Sequence, residues 1–248
     1  MGLSRVIPAF LYSLFALAGV SLPTSAQPLI ANGGFETGDF FGWTVLNEPG
    51  SGGNWYVYSG TTMPESGFSF LPPPVGVFAA VIDQFPGRGS HVLFQDLAIP
   101  EGGVLCRAII YYENYAQDFF TGPDLSYLTS PNQQARVDII STDADPFTAS
   151  AGVLLNIFQT QPGDPLALGY TAIDFDLTPF AGSTVRFRVA EVENQLFFNF
   201  GIDEVSCISD IAPPTASIPT LGEWGLMAMA GVLGIAGLLY VRRTHVLN

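Results

Sequence analysis

Between residues 27 and 210 the apolar positions recur with a period of two, the repeat of a strand, and not with the 3.6 of a helix. The run "TVRFRVAE" places Val185, Phe187 and Val189 on one face and Thr184, Arg186 and Arg188 on the other. "QARVDII" aligns Ala135, Val137 and Ile139, and "TAIDFDL" turns Ile173, Phe175 and Leu177 inward with Asp174 and Asp176 outward. Each predicts a strand with one wet face. Seven more short runs follow the same logic: "WTVL", "NWYVY", "GVFAAVI", "SHVLFQDL", "GVLCRAIIYY", "GVLLNIF" and "LFFNFGIDEVSCI". Turn residues separate them, and no internal repeat links them. Ten strands without a helix predict an all-β, two-sheet β-sandwich over residues 27–211. Two inserts interrupt it. Residues 61–76 are too proline-rich for a central strand, and 113–133 form a long loop carrying Tyr115, Phe119, Phe120 and Tyr127.

Both ends of the chain abandon this pattern. Residues 1–26 combine Arg5, an apolar run bracketed by Pro8 and Pro23, and small residues up to Ala26, which predicts a signal peptide cleaved before Gln27. Residues 212–217 read as a proline-rich linker. Beyond it, the 18 residues Trp224–Val241 carry no charge and, as a helix, would cover about 27 Å, enough for a hydrocarbon core. Trp224 and Tyr240 suit the two interfaces, and Arg242 and Arg243 suit the cytoplasmic side. A single transmembrane helix with the sandwich outside follows.

Charge narrows the partners. The chain has no Lys, and residues 27–217 hold five Arg against 21 carboxylates, a net of −16. Such a surface repels phosphate backbones, so nucleic acid is excluded as a partner. Cys106 and Cys207 are the only cysteines. An even count in an exported chain predicts a disulfide, with two buried free thiols as the alternative. Catalysis finds little support: there is no H-E-x-x-H, no G-x-S-x-G and no phosphate loop. His91 shares a strand face with Leu93 and Leu97, which predicts a packed or edge histidine. Glu113, Asp118 and Glu191 could be offered as acids, but among 21 carboxylates some pair meets any glycosidase spacing. The expectation is a protein that is not an enzyme.

Two stretches resemble known families. In "IPTLGEWG", Ile218, Pro219, Thr220, Leu221, Glu223, Trp224 and Gly225 resemble the IPTL-CTERM sorting signal of Gram-negative bacteria, with Gly222 where Ser is usual. The resemblance makes residues 218–248 a sorting signal: motif 218–225, helix 224–241, basic end 242–243. It implies an exosortase-type enzyme as partner, membrane residence at least in transit, and delivery to the cell surface or beyond. Pro219 disfavours helix just before it, so an extended octet is expected at the membrane face. The second stretch, "NGGFETGDFFGWT", is similar to the opening of galactose-binding-like jelly rolls, including carbohydrate-binding modules. "SHVLFQDLAIP" and "FNFGIDEVSCI" resemble their middle and last strands. That likeness implies adjacent first and last strands sharing a structural Ca²⁺ through Glu36 and Asp203, a hard-oxygen site of the kind calcium takes. It also implies binding of carbohydrate or another extracellular polymer on aromatic platforms. Trp55, Tyr58, Tyr115 and Phe119 are the candidates, with Tyr56, Tyr112 and Phe120 behind them, while Trp43 is assigned to the core. A structural or adhesive matrix protein without glycan affinity is the alternative.

Overall fold

The computed structural model describes residues 28–84, 87–209 and 221–245. The signal peptide, the linker and Ile218, Pro219 and Thr220 of the sorting motif lie outside the described residues. The strands are β1 (Thr44–Asn47), β2 (Asn54–Tyr58), β3 (Ala79–Asp83), β4 (Gly89–Ala98), β5 (Val104–Asn114), β6 (Gln133–Ile140), β7 (Val153–Gln159), β8 (Ala167–Asp176), β9 (Thr184–Glu193) and β10 (Phe198–Ser209). Every strand expected from the alternating pattern is present. They form two five-stranded sheets, β1-β4-β9-β6-β7 and β2-β3-β10-β5-β8. Neighbours pair antiparallel throughout.

The inward phase of each strand builds one core between the sheets. Leu93 and Leu97 of β4 and Val185, Phe187 and Val189 of β9 meet Ala80 and Ile82 of β3 and Phe198, Phe200 and Ile202 of β10. Trp43 lies in this core, its ring 5.3 Å from Phe35 and 6.0 Å from Phe187. Burial of so many apolar side chains, each contributing roughly 1.5–3 kcal/mol, holds the layers together.

Three expectations need correction. First, the outer strand faces are not uniformly wet. Arg188 is fully buried. Val92, Ala190 and Val192, on the outer face of the first sheet, pack under Leu125 and Tyr127 of the long insert and Phe147. The 61–76 insert likewise folds Met63 and Phe70 onto Ala79, Val81 and Tyr111 on the back of the second sheet. Period two identifies the faces but cannot tell which loop will cover the second one. Secondly, the first and last strands lie in different sheets. It is the "NGGFE" turn that docks on β10, where Gly33 O accepts from Val205 N at 3.0 Å. A Cβ on Gly33 would stand 1.8 Å from the Val205 oxygen, so only glycine permits this approach. Thirdly, helix α1 spans Leu221–His245, so the second half of the sorting octet is helical and not extended. Pro219 restricts the residue before it and leaves those after it free to enter a helix.

Helix α1 has 25 residues. Its segment Gly225–Arg242 has a mean hydropathy of 1.7 and none of it is buried. Leu226, Met227, Val232, Ile235 and Leu239 are exposed all round it, a pattern that suits lipid and not a protein core.

Candidate functional site

One end of the sandwich gathers polar side chains that the core does not explain. There the end of β3, the start of β4, the end of β9 and the turn into β10 surround a cavity of about 380 Å³. Gln84, Arg88, Glu193, Asn194, Gln195 and Phe197 line it. Neither amide atom of buried Gln84 has a hydrogen-bond partner among the described residues. Arg88 lies over the Tyr127 ring, 5.4 Å from its centroid. Asn194 is committed to structure, its Nδ2 donating to Tyr127 O and Thr129 O. From Phe197 an aromatic file runs outward, with Phe68 at 5.4 Å and Tyr115 a further 5.6 Å from Phe68. Amides, one guanidinium and ring faces around a cavity of this size suit an uncharged polyhydroxylated ligand.

The aromatic residues expected to bind are placed unevenly. Trp55 is 2% exposed and faces the core between the sheets, where Phe119 is also fully enclosed. Phe119 packs edge-on against Tyr112 and Phe198. Tyr58 lies under the 61–76 insert and spends its hydroxyl on Leu71 O at 2.6 Å and Tyr111 at 2.7 Å. Tyr112 is buried, Phe120 is half-buried, and Tyr56 is half-buried with its hydroxyl bonded to Glu65. A ring enclosed on both faces offers a ligand no platform; Tyr115, 37% exposed, is the most accessible ring of the expected set. Phe197 was not singled out by sequence. Its position between an exposed Gln-Leu pair and β10 was the available signal.

Glu36 and Asp203 stand close, beside Glu204. A Cβ on Gly34 would lie 3.1 Å from Glu204 Oε1 and 3.8 Å from Asp203 Oδ1. Glu36 accepts from Val77 N and Phe78 N, both at 3.0 Å. Asp203 accepts from Glu204 N at 2.8 Å and Val75 N at 3.3 Å. Burial lifts the Asp203 carboxyl to about 7, against those backbone donors and with added repulsion from Glu204 and Glu36.

A second group lies inside the sandwich. His91 continues the inward phase of Leu93 and Leu97, as its sequence position implied, and Glu191 and Glu193 continue that of Val185, Phe187 and Val189. His91 stands directly across from Glu191, and Gly89 from Glu193. All three side chains are fully buried, and one ligand atom of each lies within 4.8 Å of the others. Burial holds His91 down at about 4, opposed by the Gly52 carbonyl, and raises both carboxyls well above the usual range. Such a group could hold a metal ion.

These features define a class: a β-sandwich protein with a C-terminal apolar helix carrying a sorting signal. Residues 216–243 match the IPTL-CTERM motif. No curated protein matches the chain by sequence. Among solved structures, TmCBM61 in complex with β-1,4-galactotriose is 12% identical, with 75% of this chain and all of that one covered and a TM-score of 0.47. A family 16 carbohydrate-binding module is 15% identical over 73% of this chain and 99% of its own, with a TM-score of 0.38. A cyclase from Fischerella sp. TAU is 17% identical over 75% and 98%, with a TM-score of 0.43. These likenesses concern the fold alone.

Proposed function

We propose that the protein is an exported, surface-sorted, non-catalytic protein whose sandwich binds carbohydrate or another extracellular polymer. The observation that carries the sorting half is the IPTL-CTERM match at residues 216–243, coincident with a helix able to span a membrane. On this reading the tail is the substrate of an exosortase-type enzyme, and Leu221, Glu223, Trp224 and Gly225, with Ile218, Pro219 and Thr220 before them, are what that enzyme reads. The binding half is supported by the end cavity with Gln84, Arg88 and the Phe197–Phe68–Tyr115 file. Retention of the purified full chain, in detergent, on a panel of polysaccharides tests it. Replacing Tyr115 and Phe197 together by Ala is expected to weaken the best retained glycan about tenfold or more, since one ring–sugar stack contributes roughly 1–2 kcal/mol. Silence across the panel would favour the matrix role instead.

The same reading gives the Glu36–Asp203–Glu204 corner one Ca²⁺. Three carboxylates share the corner, and burial together with repulsion from Glu204 and Glu36 raises the Asp203 carboxyl, a cost that a bound cation would relieve. Adding millimolar Ca²⁺ to chelator-stripped protein is expected to raise its Tm by about 5–10 °C. Asp203→Asn should abolish the rise, and an equal rise in that variant would count against this corner.

A further inference from the structure

The interior group at the end of the sandwich is unusual in what it leaves unpaired. Among the described residues, His91 Nε2, both carboxylate oxygens of Glu191 and Oε1 of Glu193 are buried and make no full hydrogen bond, although the Gly52 carbonyl lies near the imidazole. Glu193 Oε2 alone is spent, accepting from Phe198 N at 2.7 Å. An unsatisfied buried polar atom is costly, and three such side chains, with one ligand atom of each within 4.8 Å of the others, call for an occupant.

The tautomer of His91 can be read from a backbone amide. Trp55 N–H donates to Asn54 Oδ1 at 2.9 Å, which fixes that oxygen as an acceptor. Asn47 Nδ2 donates to the same oxygen at 3.0 Å, so Asn47 turns its own Oδ1 to the histidine. His91 Nδ1, 2.8 Å from that Oδ1, therefore carries the hydrogen. Nε2 is left with a bare lone pair, held in place by a chain of amides, the outer support that metal-binding histidines use.

Space is provided at the same point. A Cβ on Gly89 would come within 2.2 Å of His91 Nε2 and 2.6 Å of Gly52 O, so the missing side chain makes room for both. A lone pair and a carbonyl oxygen face the same gap, and two acceptors repel unless a cation or a proton lies between them. Glu193 also lines the 380 Å³ cavity, which gives an ion a way in from solvent.

We propose that His91, Glu191 and Glu193 bind one divalent ion of the Zn²⁺ class as a brace joining β4 to β9, with Gly52 O available as a fourth donor. The donor set selects the ion. Two carboxylates neutralise a divalent charge in a dry site, whereas a monovalent ion would leave one negative charge buried. An imidazole nitrogen among three or four donors suits zinc and its neighbours, while Ca²⁺ wants six to eight oxygens. Ligand atoms within 4.8 Å of one another need only a small inward movement to meet zinc bonds of about 2.0–2.2 Å. This site is separate from the Glu36–Asp203 corner and independent of any glycan reading.

The test uses the tag-free full chain in detergent, stripped with chelator, loaded with Zn²⁺ or Co²⁺, desalted and analysed for bound metal. The wild type is expected to keep one ion per chain and to gain about 5 °C or more in Tm. The double variant Glu191→Gln, Glu193→Gln keeps the side-chain shapes and needs no counter-charge, so it should fold and keep none. Glu36→Gln with Asp203→Asn should bind Zn²⁺ like the wild type. Bound Co²⁺ should show the intense visible bands of a four-coordinate site, a readout in the wild type that does not depend on any variant folding. Retention of less than about a tenth of an ion by the wild type would overturn the proposal. So would equal retention by the Glu191→Gln, Glu193→Gln protein, or loss of the ion in Glu36→Gln, Asp203→Asn alone.

Discussion

Asp138→Ala is expected to lower the stability of the sandwich by about 3–5 kcal/mol, read as the loss in unfolding free energy in urea. Asp138 of β6 lies directly across from Arg188 of β9, and both side chains are fully buried. Its carboxylate also takes Arg136 Nε at 3.0 Å and Nη2 at 3.1 Å, with Arg136 nearly as enclosed. Arg188 spends its other end nitrogen on Pro146 O at 2.8 Å and Thr148 O at 2.7 Å, tying the loop after β6 to the sheet. Burial pulls the Arg188 guanidinium down, and Asp138 is the main influence holding it charged. Removing the carboxylate strands two cations away from water. The size of the effect comes from that stranding: replacing the whole triad with apolar residues could be close to neutral. The exposed pair Arg107–Asp174 is the internal control. Its side chains are 60% and 66% exposed, so Asp174→Ala should leave the midpoint where it was. A loss below about 1 kcal/mol for Asp138→Ala would contradict the burial described here.

The second large effect is reductive. Cys106 and Cys207 face each other across β5 and β10 and are joined by a disulfide spanning 101 residues of sequence. A cross-link closing a loop of that length restrains the unfolded chain by about 4–5 kcal/mol in the chain-entropy account. Reduction, or the Cys106→Ala, Cys207→Ala pair, should therefore lower Tm by roughly 10–20 °C for a domain of this size. The paired substitution matters, because a lone buried thiol would add effects of its own. An unchanged Tm, with thiol release verified by alkylation and mass, would show that the core alone holds the sheets.

How much of this was legible in the sequence follows from the range of each signal. Strand existence and inward phase are local: Val185–Phe187–Val189 declares its face within five residues, and the core confirms it. What covers the other face is non-local, so Arg188 read as solvent-facing although the loop after β6 encloses it. The aromatic candidates failed to separate for a related reason. A ring in a strand or insert has the same composition whether it lines a core, as Trp55 and Phe119 do, or stands exposed beside Phe68, as Tyr115 does. The interior His91–Glu191–Glu193 group was half visible. His91 sits on the Leu93 face, but the apolar alternation of β9 ends at Val189. The same period continued two and four residues past Val189 turns Glu191 and Glu193 inward as well. The sorting tail was the most legible part because a motif, an apolar run and a basic end follow one another within 30 residues of sequence, with no tertiary contact required.

On the proposed reading that tail is an address and the sandwich is its cargo. Intact-mass analysis of the protein extracted from the cell surface of its native host tests this most directly. The expected result is a chain beginning at Gln27 and lacking the helix that ends at His245, with the unprocessed form confined to the inner membrane. A surface form whose dominant species still ends at Asn248 would contradict it.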